Sequence, residues 1–136
     1  MDYSDRVKLD YETYTELESI IEEMDDFVDA IVVEGIRDKR ALEGMGITKE
    51  IVTCATRSHT EFVDYLSLRH KSITILTDYD RTGKQINKKL TSRLERVGVK
   101  VEKRYRERIG RILGLRGLKC IESLNSLMKR IFFVEL

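Results

Sequence analysis

The sequence predicts an α/β fold, a mostly parallel sheet of about four strands with helices on both faces and an extra helix at the N-terminus. Two observations predict it. Short β-branched apolar runs alternate along the chain with segments whose apolar residues recur at helical spacing. Two of those runs, AIVV (30–33) and ITIL (73–76), are almost wholly apolar, as strands buried on both faces of a parallel sheet are. The 136 residues suffice for one core of ordinary size. With 41% hydrophobic and 36% charged residues, and neither proline nor tryptophan, the composition fits a helix-rich globular domain rather than a disordered chain.

The elements follow in order. Residues 11–28 place Leu17, Ile20, Ile21, Met24 and Phe27 on one helical face, opposite a glutamate-rich one. DAIVVEG (29–35) reads as a buried strand stopped by Gly35, which lets the chain turn directly after Glu34. RDKRALEGMG reads as a short helix ending at Gly44 or Gly46. EIVTCA (50–55) is a second strand. SHTEFVDYLSLRH is a second core helix, with Ser58 and Glu61 spaced as a capping box. SITILT is a third strand, and TGKQINKKLTSRLERVG is a long helix with Ile86, Leu90, Leu94 and Val97 on one side, closed by Gly98. VKVEKR suits a fourth strand, and two helical segments follow around Ile109–Leu113 and Ile121–Ile131.

The acidic opening MDYSDRVKLDYE lacks the basic start and apolar core of a signal peptide, and the apolar runs are too short for a bilayer, so a cytoplasmic chain is expected. Cys54 and Cys120 form no CxxC pair and are expected to be buried thiols. Charge is strongly graded. Residues 1–30 hold 11 acids against 2 bases, whereas residues 81–136 hold 16 bases against 5 acids. Two readings of this gradient stay open: a basic face for an anionic polymer, or an acidic helix packed on basic neighbours within the fold or in a homodimer.

Candidate chemistry gathers where strands end, because ligands of open α/β sheets bind beyond the strands' carboxyl ends. Glu34 closes the first strand, and Asp78 and Asp80 follow the third in ILTDYD. If the two strands are neighbours, about 4.8 Å apart, the three carboxylates converge. Such a hard-oxygen cluster suits one or two Mg²⁺ ions, which would offset the repulsion between the aspartates. Gly83 opens the next helix, whose N-terminal amides favour a phosphate, and Arg81 and Lys84 add positive charge beside it. An Asp-x-Asp after a strand also serves as ordinary loop and capping chemistry.

Competing motifs fit less well. A P-loop needs a glycine five positions before Gly83, where Asp78 stands. A response-regulator receiver needs its acidic pair on an early strand. The opening of haloacid-dehalogenase phosphatases, a strand followed by D-x-D-x-T, is matched by DYDRT. That fold also needs downstream acids, and this chain has no aspartate after residue 80.

Glu34-Gly35 with Asp78-x-Asp80-x-x-Gly83 resembles the paired motifs of the Toprim family, shared by topoisomerases, bacterial-type primases, OLD-family nucleases and recombination-repair proteins. VVEGIRDKRAL and ILTDYDRTGKQI are similar to the small stand-alone Toprim proteins of archaea and bacteria, and the ribonuclease that matures 5S ribosomal RNA is related by domain. The resemblance spans roughly residues 27–110, which leaves residues 1–26 as an acidic helix of the same domain and 111–136 as a helical extension. It implies a Toprim, Rossmann-like fold. It also implies Glu34 as general acid/base or metal ligand, Asp78 and Asp80 as Mg²⁺ ligands with Mn²⁺ an alternative, and phosphodiester chemistry on RNA or DNA. Tyr79 departs from the family, where many members have proline. Topoisomerase and primase activities need additional domains, so Tyr79, the tyrosine nearest the motif, is read as a packing residue.

The function expected is that of a small Mg²⁺-dependent nuclease. The alternatives are a non-catalytic metal-binding module that docks nucleic acid or a partner protein, and a haloacid-dehalogenase-like phosphatase. Further candidates are Arg57 for phosphate and His59 as proton shuttle in CATRSH, unless these residues only cap a helix. His70 would interact with a helix dipole. The basic run 100–116 offers Arg104, Arg108 and neighbouring cations to a phosphate backbone, unless it is a solvated helix face.

Overall fold

Four parallel strands in the order β2-β1-β3-β4 form one sheet in a computed structural model that describes residues 2–135. They are β1 (Ala30–Val33), β2 (Glu50–Thr53), β3 (Ser72–Ile75) and β4 (Lys100–Val101). The helices are α1 (Tyr3–Phe27), α2 (Ile36–Gly44), α3 (His59–Arg69), α4 (Arg81–Arg96), α5 (Arg104–Leu115) and α6 (Ser123–Glu135). The expected α/β class therefore holds, with six helices among the described residues.

Alternation along the strands sends side chains into two cores. Ile31, Val33, Ile51 and Leu76 face one core with Leu17, Ile20 and Met24 of α1, Tyr105 and Ile109 of α5, and Leu124 of α6. Ala30, Val32, Val52, Ile73 and Ile75 face the other, closed by Phe62 and Leu66 of α3 and Leu90 and Leu94 of α4. Both central strands are thus covered on both sides, which is why AIVV and ITIL carry so little polarity.

The N-terminal helix starts eight residues before the periodic stretch, because Asp2 caps it by accepting from the Asp5 N–H at 2.9 Å. Its buried polar residue, Asp10, pairs with Arg116 at 2.6 Å. Ser58 caps α3 as expected, accepting from the Glu61 N–H at 3.3 Å. One expectation is corrected. Cys120 is exposed, because it lies in the irregular segment between α5 and α6 and not on the apolar face of α6; Cys54 alone is buried, and burial pushes its thiol up to about 11. His70 ends α3, but its ring meets Glu50 of β2 at 2.8 Å, and this contact holds the Glu50 carboxyl below its usual range.

Candidate metal centre

The strand order places the site. The connection after β1 runs to β2 on one side, while β3 lies on the other, so the chain changes direction between β1 and β3. A crevice opens beyond the carboxyl ends at such a point. Ala30 is in register with Ile73 and Val32 with Ile75, which brings Glu34 beside the chain leaving β3. The Glu34 Oε1 accepts a hydrogen bond from the Asp78 N–H at 2.9 Å, across 44 residues of sequence.

Each motif carboxylate has one oxygen committed to the backbone. Asp78 Oδ1 accepts from the Ile121 N–H at 2.9 Å, and Asp80 Oδ1 accepts from the Gly83 N–H at 2.7 Å as the N-cap of α4. The helix end expected to attract a phosphate is therefore already met by Asp80's own carboxylate. Gly83 is fixed by space, since a β-carbon there would lie 2.0 Å from the Asp78 carbonyl oxygen. Gly35 is not required for a turn. It is extended, with φ −141° and ψ −179°, and a β-carbon would meet nothing within 4 Å. The turn after Glu34 is made by the start of α2, where Gly35 is the N-cap.

The structure adds residues that sequence reasoning missed. Asp38, in the first turn of α2, accepts from the Gly35 N–H at 3.2 Å and is only 7% exposed. Burial, with the charges of Asp78, Glu34 and Glu122, pushes its carboxyl up to about 6. Burial also raises Glu34, reinforced by Asp78 and Asp80. The sole sequence signal for Asp38 was its position one turn into the helix that follows Glu34. Arg106 of α5, buried, donates to the carbonyl oxygens of Thr77 and, at 3.0 Å, of Asp78, fixing the turn that carries the motif. Burial pulls its guanidinium below the usual value. Nothing local marked it, since it lay within a run of basic residues. Tyr79 is a packing residue. Its hydroxyl donates to the Arg106 carbonyl at 2.6 Å, its ring lies against Gly110 and under the Arg106 guanidinium, and burial pushes it up to about 12.

Other candidates fall elsewhere. Arg81 and Lys84 stand exposed on the first turn of α4, beside Asp80. Arg57 lies beyond β2 with its guanidinium over the Tyr65 ring at 5.2 Å. His59 is the first residue of α3. Arg104 donates to the Tyr105 hydroxyl at 2.8 Å and lies over Phe27, while Arg108 pairs with Glu23 of α1 at 2.6 Å. These two arginines are taken up by contacts within the fold.

By donor chemistry the set suits an oxygen-ligating divalent cation: Glu34, Asp78 and Asp80 each retain one oxygen without a backbone donor, and burial of Glu34 and Asp38 concentrates negative charge that a cation would neutralise. In spacing, no three His, Cys, Asp or Glu side chains among the described residues are grouped closely enough to grip one ion as they stand. Water-mediated contacts, which Mg²⁺ habitually keeps, suit such an open set.

A parallel sheet with Glu34, Asp78 and Asp80 at the switch point of its two central strands belongs to the class of open α/β domains whose sites lie beyond the strands' carboxyl ends. The chain belongs to the Toprim domain family, whose model matches residues 29–112. It is similar to the UPF0292 proteins of archaea. That of Thermococcus gammatolerans is 32% identical over 91% of this chain and 92% of its own length, and that of Pyrococcus abyssi 35% identical over 88% and 89%. Among solved structures, a protein from Aquifex aeolicus has a TM-score of 0.68 at 28% identity, covering 79% of this chain and 96% of its own. Family membership supports a metal-dependent role connected with nucleic acid. No helix among the described residues is long and apolar enough to cross a membrane.

Proposed function

We propose that this chain cleaves phosphodiester bonds in nucleic acid with Mg²⁺, as a small nuclease. The observation that carries the reading is the hydrogen bond from the Asp78 N–H to Glu34, which joins the two halves of the motif at the switch point. When bound, Mg²⁺ supplies charge stabilisation at the phosphoryl oxygens and lowers the pKa of an attacking water. The rest falls to the chain. Glu34, with its carboxyl raised by burial, is suited to take up and return a proton. Asp78 and Asp80 would hold the cation, and Asp38 would add negative charge beside them. Arg81 and Lys84 draw the phosphate backbone to the same edge.

The non-catalytic docking reading has its own support: Asp80 caps a helix, Asp78 is tied to Ile121, and the carboxylates are not drawn together. Calorimetric titration with Mg²⁺ and Mn²⁺ separates the two when combined with incubation on labelled structured RNA and on single- and double-stranded DNA. Wild type, Glu34→Gln, Asp78→Asn and Asp80→Asn are compared, and the last keeps the cap because Asn accepts the same hydrogen bond. Cleavage by wild type that disappears in all three variants is the expected result. Metal binding without cleavage turns the assignment to the docking module, and absence of metal binding removes the carboxylate site altogether.

A further inference from the structure

A cavity of about 650 Å³ opens between α4, the β3–β4 edge and α5, with Tyr79 in its wall. Ile75, Val101 and Leu118 give it aliphatic walls, and the bare backbone of Gly110 and Gly114 lines α5. Its polar lining includes Asn87, Glu102 and Glu107 beside the cations Lys84, Lys103, Arg106 and Lys119. The volume lies within the range of about 300–1,000 Å³ usual for a small-molecule pocket.

Tyr79, Lys84 and Lys119 line this cavity and also a shallow groove that passes Asp80, Arg81, Gln85 and Lys88 along the start of α4. The side chains of Arg81, Lys84, Lys88 and Lys119 are exposed, and among the described residues none has a hydrogen-bond or ion-pair partner. Other cations are held within the fold. Arg108 and Arg116 hold α1, Lys103 holds Glu95, and Lys100 holds Glu102 at 3.1 Å. Four cations without a partner among the described residues, Arg81, Lys84, Lys88 and Lys119, thus line the path from the cavity mouth past Asp80.

We propose that the cavity receives one unpaired nucleobase of a single-stranded nucleic acid, with the flanking phosphates on Lys84, Lys119 and Arg81. The strand is thereby led past Asp80. A base has two apolar faces for the aliphatic walls and a polar edge for Asn87 and the two glutamates. A base in a duplex must first leave its stack and its partner, whereas one in a single strand is already free to enter. The lysines and Arg81 add attraction that is indifferent to sequence. The inference takes its substrate class from the proposed nuclease reading, but it does not depend on turnover.

The test is fluorescence anisotropy of labelled oligonucleotides with the full chain, in chelator, so that binding is read without cleavage. Single strands of RNA and DNA are compared with a duplex and with a single strand bearing abasic sites. Loss of the base or of strandedness is expected to weaken binding about tenfold or more, the usual worth of one buried base. Gly114→Leu projects a side chain into the cavity from a helical position with nothing within 4 Å, and leucine is the better helix former. It should weaken single-strand binding by a similar factor with an unchanged salt dependence. Lys84→Ala with Lys119→Ala should lower affinity and reduce the salt slope by about 1–2. Equal binding of the abasic and intact strands overturns the pocket, even where Mg²⁺-dependent cleavage persists. So does equal binding of duplex, or no binding of any oligonucleotide. Base-dependent binding with no cleavage in Mg²⁺ upholds the pocket and removes the nuclease instead.

Discussion

A β-carbon added at Gly83 would lie 2.0 Å from the Asp78 carbonyl oxygen, whereas one added at Gly35 meets nothing within 4 Å. Gly35 is the N-cap of α2 and Gly83 the third residue of α4, and they do different work. Gly83 lets the first turn of α4 press on the segment that carries Asp78, and Thr77 fastens the same contact by donating to the Gly83 carbonyl at 2.7 Å. Gly83→Ala must therefore move backbone, and it should cost about 1–3 kcal/mol of stability, as overpacking does. Gly35→Ala, at an ordinary extended conformation, should stay within about 0.5 kcal/mol of wild type. Urea denaturation of both variants checks the pair, and equal losses would mean that the close approach at Gly83 is absent in solution. The sequence made Glu34, Asp78, Asp80 and Gly83 legible because each sits at a fixed offset from a strand end. Asp38 and Arg106 were not legible. Arg106 reaches Asp78 across 28 residues, a relation that exists only once α5 has packed on the sheet.

Among the elements, α1 tests how far the family resemblance defines the folding unit. The family model begins at residue 29, after α1 has ended. Yet Leu17, Ile20 and Met24 of α1 are fully buried in the core that Ile31, Val33 and Leu76 share with α5 and α6. We propose that α1 is integral to the domain. Leu17→Ala should then cost about 2–5 kcal/mol, the usual loss for a large aliphatic residue in a closed core. Unfolding should remain a single transition, seen alike by circular dichroism and by tyrosine fluorescence. A small loss, or a first transition confined to the helix signal, would make α1 an appended element. The helical period of residues 17–24 was visible in the sequence, because core contacts impose it, whereas Phe27, expected on the same face, is exposed. Residues 3–10 gave no such period. They are mostly exposed, and what holds them is a capping aspartate and the pairing of Asp10 with Arg116, more than a hundred residues away.

Across the whole molecule, part of the charge gradient is spent on assembly. Asp10 and Glu23 of the acidic helix meet Arg116 and Arg108, each at 2.6 Å, and Arg130 approaches Asp10 at 3.6 Å. Near the site, burial first and then the charges of Asp78, Glu34 and Glu122 raise Asp38, while burial raises Glu34 and Arg106 partly offsets it. The effect on stability has a definite sign. Asp38 titrates at about 6 in the fold against an ordinary 3.8 for a solvated aspartate, so between those values the folded form holds the extra proton. Stability therefore falls as pH rises through that window, and above it the folded chain carries the full penalty, up to about 3 kcal/mol for a shift of this size. Glu34 acts in the same direction. Asp25, Asp29 and Glu50 are lowered and oppose it only at more acid pH. In chelator, the melting temperature should accordingly be higher near pH 5 than near pH 8. Asp38→Asn should flatten that difference by stabilising the chain at the alkaline end. On the proposed metal reading, Mg²⁺ should raise the melting temperature more near pH 8 than near pH 5, because protons compete with the cation for the same carboxylates. Scanning calorimetry of wild type and Asp38→Asn at both pH values, with and without Mg²⁺, reads all three effects. A melting temperature that rises with pH in chelator would show the carboxylates to be well solvated. A Mg²⁺ response unaffected by pH would place the bound cation away from Asp38.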